Sequence, residues 1–139
     1  WDFSPRGLRK LATASREIGR PQVVSFFPDV AVERFDEPAF VARVNGAIAL
    51  SYCLGLLPLF PYDVWAGPDA PRRWYGTWEQ YRRPYEIVRE HPEWFDEYRW
   101  TRTRLSDDRC EVVARHVEDK SRRLRHTIAA GGEWTTEEA

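Results

Sequence analysis

The sequence contains no methionine and only two cysteines among its 139 residues. Cys53 and Cys110 lack the C-x-x-C spacing of a zinc or redox site, which leaves a disulfide and two free thiols as alternatives. The three histidines, His91, His116 and His126, show no spacing typical of metal ligands and are interpreted as solvated helix residues. The sequence therefore predicts no metal site.

Motifs for nucleotide and covalent chemistry are also missing. The chain has no phosphate-binding loop, no dinucleotide fingerprint and no G-x-S-x-G elbow, so we expect no cofactor. Its longest apolar stretch, 44–60, is interrupted by Gly46, Gly55 and Pro58 and is shorter than the ~20 apolar residues of a membrane span. We expect no membrane partner. No signal peptide is visible, but a processed chain would look the same, so the compartment stays undecided.

The sequence has no large excess of charge of either sign: it contains 21 basic and 22 acidic residues, and its net charge is −1. This balance gives no general attraction to nucleic acid or anionic membranes, so nucleic acid is a disfavoured partner. Lysine is nearly absent: Lys10 and Lys120 stand among 21 basic residues. The arginines indicate either bidentate recognition of phosphate or carboxylate, or a codon bias that spreads them over solvated faces. Interspersed acids favour the second interpretation.

What the sequence does have is a composition that suits one packed domain, with 42% hydrophobic and 14% aromatic residues. A complete (β/α)8 barrel needs at least ~200 residues. The chain also begins at Trp1 without methionine. We therefore expect a piece of a longer gene product, partnered by further chain segments or by self-association.

Capping residues and apolar periodicity predict alternating helices and strands in the first part of the chain. They are a helix from Ser4-Pro5 to Gly19, a strand at 22–27, a helix from a cap at Asp36 to Gly55, and a strand at 56–60. Two strands joined by a helix imply parallel pairing with a right-handed crossover. The predicted fold class is α/β, with a parallel β-α-β unit and flanking helices.

A T-x-x-Q capping box at 77–80 opens a third helix, which Pro84 kinks and His91 ends; one more turn is expected at 92–98. The tail has two interpretations. Residues 106–130 form either one helix, which the apolar spacing favours, or a β-hairpin with strands at 111–117 and 124–128. We predict an α/β portion at residues 1–100 and a C-terminal extension at 101–139.

An aspartate follows each predicted strand, Asp29 after the first and Asp63 after the second. Active sites of parallel α/β sheets lie at the carboxyl ends of the strands. Strands ~4.8 Å apart bring two such carboxylates within roughly 5–10 Å, the range that glycosidases use. Asp29 and Asp63 are therefore candidate catalytic residues. The alternative is that each aspartate only caps a turn.

Aromatic residues concentrate beside Asp63, with eleven between Tyr62 and Trp100. Core packing explains some of them, but several lie in a loop rich in glycine, proline and arginine. Flat rings beside charged groups are typical of sugar sites, where rings stack and charges bind hydroxyls. The candidate substrate-binding residues are Tyr62, Trp65, Arg73, Trp74 and Trp78.

A family resemblance points the same way. The segments Ala49-Leu-Ser-Tyr-Cys-Leu-Gly55, Pro61-Tyr-Asp-Val-Trp-Ala-Gly67 and Arg73-Trp-Tyr-Gly76, followed by Phe95-Asp-Glu-Tyr98, resemble the late part of bacterial glycoside-hydrolase-like (β/α)8 proteins. The resemblance covers about residues 40–100. It implies that the chain is like the C-terminal part of such a barrel, with Asp63 at its mouth. Tyr62 stands where tryptophan is usual, and the first five strands are absent.

The sequence thus predicts a carbohydrate-binding or carbohydrate-processing portion of a glycoside-hydrolase-like protein, with a saccharide as its ligand. Whether it is an enzyme depends on completion by further strands. Two alternatives stay open. One is a protein-interaction domain that docks through an aromatic and arginine surface, and the other is a single-stranded nucleic-acid binder.

Overall fold

The structure is a computed structural model, and it describes residues 4–25, 37–59, 78–106, 108–129 and 132–139. These residues form four helices and six strands. In chain order they are α1 (Pro5–Glu17), β1 (Val23–Ser25), α2 (Pro38–Cys53), β2 (Leu57–Leu59), α3 (Trp78–Glu90), α4 (Glu93–Asp96), β3 (Tyr98–Leu105), β4 (Arg109–His116), β5 (Arg123–Ala129) and β6 (Trp134–Glu138).

The helices lie close to their predicted positions. Ser4 caps α1, its hydroxyl accepting a hydrogen bond from the Gly7 amide at 3.2 Å. Gly19 follows the helix with φ 68°, a left-handed conformation that glycine adopts at little cost. The predicted aspartate cap of α2 is wrong: the cap position is Glu37, whose side chain makes no capping bond. Pro84 lies inside α3, and α4 is the expected extra turn.

The larger sheet is antiparallel, with the strand order β3-β4-β5-β6. A smaller sheet pairs β1 with β2 in parallel, Val23 opposite Leu57, but each strand has only three residues. The predicted fold class, a parallel β-α-β unit resembling the C-terminal part of a (β/α)8 barrel, is therefore wrong. The sheet that dominates the structure is an antiparallel meander, in which each strand follows its neighbour through a short connection.

The favoured helical interpretation of the tail is wrong, and the hairpin alternative matches β4 and β5. Burial alternates residue by residue along both strands, as one face of a half-buried sheet requires. The inward positions include His116 and His126, which are 9% and 1% exposed. Because two of the buried positions are histidines, the apolar residues alone do not show the two-residue period.

Helix α2 lies at the centre of the molecule and contacts α1, α3, β2, β4 and β5. Its Ile48 and Ala49 are fully buried. Gly46 lies against the sheet, where a Cβ would make an ordinary van der Waals contact, 3.7 Å from a methyl group of Ile128. One hydrophobic cluster runs from Leu8 in α1 to Trp134 in β6. None of the helices among the described residues is long and apolar enough to cross a membrane.

Candidate functional site

The candidate residues chosen from the sequence fall almost entirely outside the described part of the chain. This holds for Asp29, Tyr62, Asp63, Trp65, Arg73 and Trp74. Trp78 is the first residue of α3, but its side chain is not described either. The catalytic pair and the loop aromatics therefore stay predictions.

The described residues enclose a different site, a cleft with a volume of about 840 Å³. It lies between the C-terminal ends of α1 and α2 on one side and the α4–β3 junction on the other, with residues of β4 and β5 at its base. Its aromatic lining residues are Tyr52, Trp94, Phe95, Tyr98, Trp100 and the imidazole of His126. Its charged lining residues are Arg16, Arg20, Asp96 and Arg99.

Two helix ends form the first wall. The Ser15 hydroxyl donates a hydrogen bond to the Arg20 carbonyl at 2.5 Å and holds the turn that follows α1. Gly55, with φ 74°, makes the corresponding turn after α2. The amides of the residues after each helix bond its last free carbonyls. The wall therefore presents hydrogen-bonded backbone, residue Arg20 and the guanidinium of Arg16.

The second wall is the junction between α4 and β3. One terminal nitrogen of Arg99 donates to the carbonyls of Phe95, Asp96 and Tyr98 at 2.8–3.1 Å, which ties the end of α4 to the first residues of the strand. The guanidinium carbon of Arg16 lies 5.0 Å from the centre of the Trp100 ring. That contact joins the two walls through a cation–π interaction. This wall thus carries aromatic rings with positive charge beside them.

His126 belongs to the base of the cleft, where it is 1% exposed. The Trp134 indole N–H, which can only donate, points at its Nδ1 from 3.3 Å, and the Thr136 hydroxyl lies 2.8 Å from the same atom. Nδ1 is therefore an acceptor, and the neutral ring carries its proton on Nε2. Burial lowers the pKa of His126 to about 4. At neutral pH the imidazole is therefore uncharged, and the floor of the cleft is an aromatic surface.

The described residues of the cleft supply rings and charged groups but no pair of carboxylates. Among the described residues Asp96 is its only carboxylate, whereas glycosidases use two. Cys53 also lines the cleft, but burial raises the pKa of its thiol well above the ordinary value, so it is not a thiolate nucleophile at neutral pH. No group of three metal-ligating side chains occurs in the described ranges.

Sequence reasoning recognised part of this cleft and missed the rest. Trp94, Phe95, Tyr98 and Trp100 belong to the aromatic concentration noted above, but the sequence singled out the loop aromatics instead. The positions of Arg16 and His126 carry no local signal. Arg16 reaches the cleft because α1 ends at a glycine turn, and His126 does so because β5 alternates, a period that the sequence did not reveal.

Comparison with known proteins found no relative: no protein-family model, no curated protein and no solved structure matches the chain.

Proposed function

We propose that the chain binds carbohydrate, with the aromatic cleft as a saccharide-binding site. The observation that carries this proposal is the lining itself. Five aromatic side chains and four charged ones converge on a volume of about 840 Å³, which is in the size range of ligand pockets. Aromatic surfaces pack against the C–H faces of pyranose rings, and guanidinium and carboxylate groups bind hydroxyls through charge-assisted hydrogen bonds. Asp63 and the loop aromatics would extend the same function.

The decisive side chain is Trp100, which lines the cleft under the Arg16 guanidinium. We expect Trp100→Leu to weaken binding of a neutral hexasaccharide about tenfold, because it keeps apolar bulk and removes the flat ring. Trp100→Phe keeps a ring and should restore part of the affinity. Calorimetric titration with cellohexaose, xylohexaose and mannohexaose measures both effects.

Two arginines of α1 supply the matched control for this titration. Arg16→Gln removes the guanidinium at the cleft, and Arg9→Gln removes one from an exposed position of the same helix that does not line it. Only the first should weaken binding. In the same titration, a loss on Asp63→Asn would show that the aspartate contributes too. Wild-type protein that binds none of the three sugars would contradict the proposal.

A second candidate function, docking of another protein chain, is favoured by the smaller sheet. The outward side chains Val23, Leu57 and Leu59 are 56%, 48% and 45% exposed. Parallel sheets are normally covered on both faces, so a two-stranded parallel sheet with exposed apolar side chains lacks its usual cover. A patch of this kind suits association with a second copy or with another chain.

We expect the wild-type chain to self-associate in the micromolar range and the double variant Leu57→Lys, Leu59→Lys to remain monomeric, because two charges cannot be buried unpaired at an interface. Sedimentation velocity measures the change. Leu105→Lys is the matched control, since Leu105 is also exposed, at 39%, but lies on β3 in the other sheet. A wild-type monomer throughout that range would argue against self-association.

A further inference from the structure

The face of the antiparallel sheet that is turned away from the core is strongly basic. Along β4 and β5 every second residue is buried, and Arg115, Arg123 and Arg125 occupy the alternate, outward positions. Directly opposed residues in a sheet share a face. The registers place Arg99 opposite Arg115, and Arg115 opposite Arg123. Three arginines therefore stand side by side across β3, β4 and β5, and we call them the arginine row.

Further arginines extend this charge along the strands. Val113 of β4 lies between Arg102 of β3 and Arg125 of β5. Arg104 of β3 lies opposite Glu111 of β4. Glu137, opposite Arg125 in β6, is the second acid on this face. Arg109, opposite Ala129, is a seventh outward arginine and pairs with Asp108 at 3.1 Å. Seven arginines against Asp108 and two glutamates leave four net positive charges on a chain whose total is −1. The charge that is balanced along the sequence is segregated in space.

No acidic side chain of the described residues neutralises the row, although one terminal nitrogen of Arg99 bonds three carbonyls around the end of α4. Arg125 pairs with Glu137 at 2.9 Å, but no carboxylate of the described ranges forms an ion pair with Arg99, Arg115 or Arg123. Nε of Arg115, in the middle strand, is buried without a hydrogen-bond partner. Neighbouring strands are ~4.8 Å apart, and like charges directly opposite each other destabilise a sheet. The arrangement thus costs stability unless an anion lies over it.

We infer that this face binds a linear anionic polysaccharide, such as a polyuronate, whose carboxylates lie over the arginine row. The choice of a polysaccharide rests on the proposed carbohydrate function; the choice of an anion rests on the row. The planar guanidinium fork matches a carboxylate in bidentate geometry. None of the outward side chains of β3–β6 in the described ranges is aromatic, so the face lacks the rings on which nucleic-acid binders stack bases.

If the arginine row binds an anion, removing its charges should weaken binding but stabilise the unliganded fold. Arg115→Gln, Arg123→Gln removes two charges from the row while keeping polar bulk. We expect it to weaken binding of polygalacturonate at least about tenfold and to flatten the salt dependence of that binding. In the absence of ligand the same variant should melt about 2 °C higher, because the repulsion across the strands is relieved. A purely structural role of these arginines predicts the reverse shift in melting temperature.

The matched control is Arg6→Gln, Arg9→Gln, which removes the same charge from exposed positions of α1 and should change affinity by less than about twofold. Affinities are measured by calorimetry on the full chain with polygalacturonate, cellohexaose and oligo(dT). If the control variant weakens polygalacturonate binding as much as the row variant does, the binding is general charge attraction and the inference is overturned. Tighter binding of oligo(dT) would also overturn it. If the row variant still binds cellohexaose, the cleft and the arginine row are separate sites. If the wild type does not bind cellohexaose, the proposal for the cleft is refuted, but the inference about the arginine row is not.

Discussion

Replacing Gly132 by alanine should destabilise the fold by about 2–5 kcal/mol, combining the cost of a left-handed backbone with that of overpacking. Gly132 has φ +78°, and a Cβ there would lie 2.7 Å from Cβ of Asn45 and 3.1 Å from the Ala42 carbonyl oxygen. Both contacts belong to helix α2, whose backbone is fixed by the core around it. The glycine is therefore where the β5–β6 connection touches the central helix. Denaturant unfolding monitored by tryptophan fluorescence measures the loss.

Gly19 separates the two costs. It has φ +68°, and a Cβ at this position would have no neighbouring atom within 4 Å, so Gly19→Ala carries the backbone cost alone, about 1–2 kcal/mol. Asparagine tolerates left-handed conformations. Gly19→Asn should accordingly recover most of the loss, whereas Gly132→Asn should not, because its Cβ still meets α2. Equal losses at the two glycines would show that the connection does not press on the helix.

Local chemistry made the helices predictable from the sequence. The serine cap and proline before α1, the proline that begins α2 and the glycine turns after both helices act within a few residues. Such signals need no tertiary context. The same reasoning placed β1 and β2 within a few residues, since a short β-branched run between turn residues is also a local pattern.

The antiparallel sheet was not predictable in the same way. Its strands mix buried histidine with exposed arginine, so their period is visible only when polar residues are counted as inward. In β3, Tyr98 and Trp100 alternate with arginines, but a register shift between Trp100 and Arg102 interrupts the pattern. The parallel interpretation followed from two genuine but very short strands. Their pairing is real, yet most of the sheet structure lies elsewhere.

The cleft and the basic face meet at β3, an edge strand of the sheet. Trp100 lines the cleft. Arg99, one residue earlier, belongs to the arginine row by register, and its terminal nitrogen bonds the end of α4, so that it also lines the cleft. Neither site could be assigned from sequence, because each depends on strand register. Aromatic residues and arginines are mixed along the sequence, and the strand register places the aromatic residues on one side of the sheet and most of the arginines on the other.

Lowering the pH from neutral to 4 should cost the fold on the order of 3 kcal/mol through His126 alone. Burial holds the folded-state pKa of this imidazole at about 4, against an ordinary value of 6.5. Between these two values the unfolded chain binds a proton that the folded chain does not. Stability is therefore fully retained above pH 6.5 and falls progressively as the pH approaches 4. Urea unfolding at a series of pH values measures the slope.

The variant His126→Gln tests that attribution. It removes the titrating group while glutamine can still accept a hydrogen bond in the place of Nδ1, where Trp134 and Thr136 lie at 3.3 and 2.8 Å. We expect a lower stability at neutral pH, because the ring packs between aromatic neighbours, but a much shallower slope between pH 6.5 and 4. His91→Gln keeps His126 and should keep the slope. A variant at position 126 that retains the full slope would place the acid sensitivity in other groups. Because His126 also lies at the floor of the cleft, its protonation in the folded protein would put a positive charge beneath bound sugar. The folded-state pKa is about 4, so affinity for cellohexaose should hold until the pH nears 4, whereas stability already falls below pH 6.5.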